Sequence, residues 1–131
     1  MKLGYTIVYV ENVAATLAFY ESAFGFARGF VHASGDYGEL VTGETTLAFA
    51  SIALGQSHFA DPIEPVSLSR PVVGIELAFV SDDVPAAFAR ACAVGAQPLA
   101  PPESKPWGQT VAYVRAQEGT LIELCSPVGA A

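Results

Sequence analysis

Two stretches of this chain say the same thing twice. YVENVAATLAFYESAFG, residues 9–25, lines up with FVSDDVPAAFARACAVG, residues 79–95, and GETTLAFAS, residues 43–51, lines up with EGTLIELCS, residues 118–126. In each copy an apolar run leads into a capped helical pattern and ends in a β-rich segment, so the repeat carries structure and not just composition. The expected architecture is α+β: two tandem βαβββ modules whose sheets form a curved, cup-shaped mixed sheet with the helices outside. A module of this size leaves one sheet face bare, which requires the copies to pack together within one chain or to pair across a dimer.

The local signals agree with the repeat. LGYTIVYV (residues 3–10) is rich in β-branched and aromatic types and reads as a strand. Asn12 then caps VAATLAFYESAF, in which Val13, Leu17, Tyr20 and Phe24 recur at helical spacing until Gly25 stops the run. FARGFVHA, ELVT and TLAFASIAL follow as three strands. From Gln56 to Pro71 the chain turns to Pro, Ser, Asp and His, a linker lying over the surface. Beyond it come VGIELAFV as a strand, a helix capped by Asp83 with Pro85 in its first turn and Gly95 as its stop, and a short AQPLA strand. ESKPWG follows as a loop, then the strands QTVAYVR and TLIELCS about a turn at Gln117 to Gly119. The 131 residues therefore read as one domain, with module one over about 1–55, a linker over about 56–71 and module two over about 72–131.

Charge and composition narrow the function. The net charge of −7, with only six Lys and Arg scattered singly, leaves no basic stripe to neutralise a phosphate backbone, so nucleic acid is not an expected partner. The longest apolar runs fall far short of the roughly 20 residues of a membrane span, and the N-terminus lacks the long apolar core of a signal peptide. The expectation is a soluble, cytoplasmic protein with Cys92 and Cys125 as buried free thiols, because they form no CxxC and no second pair. Hydrophobic residues make up 52% of the chain, enough to predict a homodimer that hides apolar surface.

The residue that raises the chemical question is Glu123 in TLIELC. Alternation places it on one face with Leu121 and Cys125, in a strand whose two faces both look buried. A carboxylate there needs a hydrogen-bond donor, a cation, a metal or its own proton. Glu76 in IELAFV repeats the puzzle at the matching place in the second module's first strand. Two readings stand: an ion pair or hydrogen bond of Glu123 with Arg115 or a backbone amide, or the polar floor of a ligand pocket.

The tandem pair resembles the vicinal oxygen chelate superfamily, which contains glyoxalase I, bleomycin-resistance proteins, extradiol dioxygenases, fosfomycin-resistance enzymes and methylmalonyl-CoA epimerase. The likeness spans nearly the whole chain and is most specific in VYVENVAATLAFYESAFGF and KPWGQTVAYVRAQEGTLIELCSP. It implies four converging ligand positions, two per module, which fall at Tyr5 and Phe49 in the first and Glu76 and Glu123 in the second. Phenylalanine cannot ligate and a neutral tyrosine is a weak ligand, so the resemblance implies no metal or other cofactor of the family type, although the two carboxylates could hold Mg²⁺, Ca²⁺ or Mn²⁺ loosely.

The expected pocket is lined by Tyr5, Phe49, Glu76, Glu123, Trp107 and His32, with the aromatic residues supplying apolar area and the carboxylates favouring a cationic or polar aromatic small molecule. Tyr5 and Phe49 also read as plain core aromatics, Trp107 as a loop-packing residue, and His32 as a structural histidine; His58 lies in the linker and reads as solvated. The function implied is small-molecule binding of the sequestering, drug- or toxin-resistance type. The alternative is a glyoxalase-like lyase or isomerase in which Glu76 or Glu123 acts as general base.

Overall fold

The first element, β1 (Tyr5–Val10), is followed by α1 (Val13–Phe24), β2 (Ala27–Val31), β3 (Tyr37–Val41), β4 (Thr46–Ser51) and a short α2 (Ile52–Gln56). Asn12 caps α1 as expected, its side chain accepting from the Ala15 amide at 2.9 Å, and Gly25 closes it in the left-handed conformation at φ 79°. The strands form one mixed sheet in the order β1-β4-β3-β2, with β1 and β4 parallel and the remaining pairs antiparallel. Helix α1 packs on β2, β3 and β4 and buries Leu17, Phe19 and Tyr20 with Leu40, Leu47 and Phe49. The approach is close at Gly38: a Cβ there would lie 2.6 Å from Leu17 Cδ1 and push that side chain aside. Strand β4 ends at Ser51 and not at Leu54 as the apolar run suggests, because the Ser51 hydroxyl accepts from the Leu54 amide and starts α2.

The second half repeats the pattern with β5 (Glu76–Val80), α3 (Val84–Val94), β6 (Gln97–Ser104), β7 (Thr110–Arg115) and β8 (Leu121–Cys125), in the order β5-β8-β7-β6. Asp83 accepts from the Ala86 amide to cap α3, Pro85 sits in its first turn, and Gly95 ends it. Helix α3 packs on β6, β7 and β8, over a core that includes Val84, Ala91, Val114, Ile122 and Leu124. Strand β6 runs on to Ser104 through Pro98, Pro101 and Pro102, where the sequence suggested a short strand and a loop. It can do so because it is an edge strand and its pairing with β7 shifts register twice, so the missing amide donors cost little.

The computed structural model describes residues 1–129, and the chain divides into two compact units between Val66 and Ser67, inside the expected linker. Each side of that linker is tied to its own unit. The Gln56 side chain donates to the Asp61 carbonyl at 2.9 Å and accepts from the Ile63 amide at 3.0 Å. In the second unit the Arg115 guanidinium, 7% exposed, donates to the carbonyls of Ser67 (2.8 Å), Arg70 (2.9 Å) and Gly119 (2.9 and 3.1 Å). Gly119, at φ 108°, lets the turn pass under this strap, since a Cβ there would lie 2.7 Å from the Ser67 carbonyl carbon. Among the described residues no helix is long and apolar enough to cross a membrane.

Candidate functional site

In the second unit, the sheet face opposite α3 carries Glu76, Ala78 and Val80 of β5, Glu123 and Cys125 of β8, and Tyr113 of β7. The pairings that set this are Ala78 with Glu123, Tyr113 with Glu123, and Val80 with Cys125. Glu123 is the hub. The Tyr113 hydroxyl donates to its Oε1 at 2.8 Å, and this bond, with burial and the nearby carboxyl charges, pushes the Tyr113 pKa up to about 12. Burial first, and then a hydrogen bond to Glu123 and its charge, push the Cys125 thiol up to about 11. Glu76, exposed at its end of the sheet, is also raised, by desolvation and then by the charge of Glu123 and a hydrogen bond to it.

Two groups, the Tyr113 phenol and the Cys125 thiol, thus keep their protons at neutral pH beside Glu123, and the Glu76 carboxyl holds its proton more tightly than in water. Arg115, two residue pairs away in register, is not a partner of Glu123, because its donors are engaged by the three carbonyls. Of the two readings open for Glu123, the ion pair with Arg115 is therefore excluded, and the stabilising donor is a phenol.

In the first unit, the matching face carries Tyr5 and Ile7 of β1, Thr46, Ala48 and Ala50 of β4, and Tyr37 and Glu39 of β3. Tyr5 pairs with Thr46 as Glu76 pairs with Leu121, so Tyr5 and Glu76 are equivalent, as the family resemblance has them, whereas the repeat lined up with Tyr9 on Phe79 would set Tyr5 against Ile75. Phe49 requires a correction. Ile7 pairs with Ala48 as Ala78 pairs with Glu123, which makes Ala48 the counterpart of Glu123. Phe49 lies on the opposite face, 0% exposed, with its ring 4.7 Å from that of Tyr20 on α1. It is core under the helix and lines no pocket on the open face. The signal was present in the repeat itself, since GETTLAFAS set against EGTLIELCS puts Ala48, not Phe49, opposite Glu123.

Of the two remaining pocket candidates, His32 adjoins the first unit's cluster, its amide donating to the Tyr37 carbonyl at 3.0 Å and its ring centroid 6.4 Å from that of Phe30, and Trp107 lies in a turn of the second unit. His32 follows β2 in an exposed turn, where its Nδ1 accepts from the Ser34 amide at 3.0 Å and lies 2.8 Å from the Ser34 hydroxyl. Trp107 is 61% exposed in the β6–β7 turn and donates from Nε1 to Gln109 at 2.7 Å.

Three residues of these faces went unnoticed in the sequence: Tyr113, Tyr37 and Glu39. Cys125 shares a face with Glu123, as alternation in the sequence places it. Tyr113 needed the β7–β8 register, which the sequence does not state. In the first unit the Tyr37 hydroxyl donates to Glu39 Oε2 at 2.7 Å. Among the described residues, no group of three or more His, Cys, Asp or Glu is arranged to hold a metal ion.

Comparison with known proteins matches this arrangement to one group. Residues 3–129 match the family model described as a glyoxalase-like domain. No functionally curated protein matches the chain. Among solved structures, the chain is similar to a glyoxalase-related enzyme from Fulvimarina pelagi, with a TM-score of 0.82 and 23% identity over 99% of this chain and 94% of that one. It is also similar to a glyoxalase/bleomycin resistance protein/dioxygenase family enzyme from Burkholderia phytofirmans, with a TM-score of 0.77 and 21% identity over 96% and 98% of the two chains. A member of the same superfamily from Sphaerobacter thermophilus gives a TM-score of 0.74 at 20% identity, over 97% and 98%. At these identities the structural likeness speaks for the fold. With the two βαβββ sheets and a family match over nearly the whole length, the chain belongs to the glyoxalase-like domain family of the vicinal oxygen chelate superfamily.

Proposed function

We propose that this chain binds and sequesters a small cationic or polar aromatic molecule, and that its family-type metal site is degenerate. The observation that carries this reading is the Glu123 hub: a carboxylate on the open face of the second sheet, hydrogen-bonded by Tyr113 and facing Glu76, with the nearest cation in register committed to backbone carbonyls. A site of this kind has room for a positive charge from outside. The donor set argues against a resident transition metal. The equivalent positions of the first unit are a phenol and a methyl group, Tyr5 and Ala48, and the thiol beside Glu123 stays protonated at neutral pH with its pKa near 11. Zinc, nickel or iron needs about three good donors in one place.

A second reading, an acid–base lyase or isomerase, draws on the raised pKa of Glu76, which would let that carboxyl take and return a proton. The free thiols Cys92 and Cys125 suit a reducing, cytoplasmic setting, and the acidic balance argues against nucleic acid as a partner. Exposed apolar side chains at Leu3, Val41, Ile75 and Val80 support a homodimer.

Native mass spectrometry of the purified protein tests these statements together. The expected result is a dimer that carries a small molecule or accepts an added aromatic cation without changing its mass. A monomer at tens of micromolar would remove the dimer, near-stoichiometric zinc, nickel or iron would overturn the degenerate site, and a product mass would favour the acid–base reading.

A further inference from the structure

The open face of the first unit carries a second constellation, which runs from the ligand position Tyr5 to residues of β2 and β3 that the family resemblance does not name, and a break in strand pairing builds it. Strands β2 and β3 pair as Ala27 with Val41 and Arg28 with Leu40, a register that, if continued, would set Phe30 opposite Gly38. That face is the one covered by α1, against which Gly38 packs on Leu17 and Val13. The register instead shifts, so that Val31 pairs with Gly38. The shift turns Phe30 to the other face, where its ring centroid lies 6.4 Å from that of Tyr37 and 57% of the residue is exposed. Bulges of this kind re-aim a side chain and recur beside binding sites.

What the bulge delivers Phe30 to is a low floor with tall sides. Ala48 and Ala50 of the central strand are short, while Tyr5 rises from β1 on one side and Tyr37 and Glu39 from β3 on the other. Burial, the Glu39 hydrogen bond and charge, and the nearby Tyr5 phenol all hold the Tyr37 proton in place, so the phenol stays a neutral ring that donates to the carboxylate. Tyr5 is itself 57% exposed. Gly29 pairs beside Glu39 and leaves that side of the carboxylate without a side chain. Aromatic faces attract alkylammonium groups through their quadrupole, and a carboxylate among them adds the opposite charge.

We propose that Tyr5, Phe30, Tyr37 and Glu39 form a receptor for an organic ammonium ion, with the rings receiving its alkyl or aryl groups and Glu39 its charge. This names a ligand class for the binding function proposed above and rests on that function, but it uses residues of the first unit only.

The test is a nitrogen-15 NMR titration of the full chain with benzyltrimethylammonium, and with benzyl alcohol as the uncharged aromatic probe. The expected result is saturable shifts at the Phe30, Tyr37 and Glu39 amides with the cation and much weaker binding of the alcohol. Glu39→Gln and Phe30→Leu should each weaken the cation by about three- to fivefold, as expected for single partly exposed contacts. Both are exposed or half-buried positions, so the dispersion of the remaining amides reports whether each variant is folded. Equal binding of the alcohol, or an unchanged Kd in Glu39→Gln, would overturn the receptor. Shifts confined to the Tyr113 and Glu123 strands, lost in Glu123→Gln, would overturn it while leaving the Glu123 site standing. No shift anywhere with the cation would remove the ammonium class, whereas the mass-spectrometric search for a retained small molecule would still decide the broader binding function.

Discussion

Replacing Phe49 with Ala distinguishes a pocket wall from a core residue more sharply than any other single change. Its ring is wholly buried and 4.7 Å from the ring of Tyr20. Withdrawing a phenylalanine side chain from water contributes about 1.5–3 kcal/mol, and an aromatic pair adds about 0.5–1.5 kcal/mol. With the cavity left behind, a buried Phe→Ala change costs about 3–5 kcal/mol. Against the total of about 5–15 kcal/mol typical of a domain, that removes much of the reserve. Urea unfolding followed by circular dichroism at fixed protein concentration is the assay. With a slope of about 1–3 kcal/mol per molar, the midpoint should fall by at least about 1 M. Tyr5→Ala on the open face is the control and should cost under about 1 kcal/mol, since the residue is 57% exposed. A Phe49→Ala midpoint equal to that of the parent chain, together with a large loss in Tyr5→Ala, would refute the assignment of these two faces.

Arg115→Met keeps the aliphatic stem but leaves the carbonyls of Ser67, Arg70 and Gly119 without their donor. It should cost about 1–3 kcal/mol and hasten chymotryptic cleavage at Leu68, and a cleavage rate equal to that of the parent would show that the strap is held by something else. Glu76→Gln should act through pH. The folded chain raises the Glu76 pKa above its ordinary 4.5, so its contribution to stability is fully present below that value and is lost as pH rises through the raised one. The amide removes that loss, and Glu76→Gln should melt higher than the parent at pH 8 and at the same temperature at pH 4. A melting difference independent of pH would mean that the fold does not raise the Glu76 pKa.

The repeat, the helices α1 and α3 with their caps and most strands were legible in the residues alone. Asn12, Gly25, Asp83, Pro85 and Gly95 act on the backbone within a turn of their own positions, and alternation is a local period of two. Glu123 was legible as a carboxylate on a strand with two apolar faces, and Tyr5 and Glu76 as matching places in the two first strands, through the family resemblance. What lay beyond the sequence was pairing. Phe30 faces Tyr37 only because β2 slips by one residue against β3, and one residue of slip exchanges the two faces of a strand. β6 carries its prolines only because it lies at an edge. Arg115 reads as a partner for Glu123 until the chain brings back carbonyls from 45 and 48 residues earlier to take its donors. That leaves Glu123 to the Tyr113 hydroxyl, since register and long-range hydrogen bonds depend on which strands meet and not on the residues within either one.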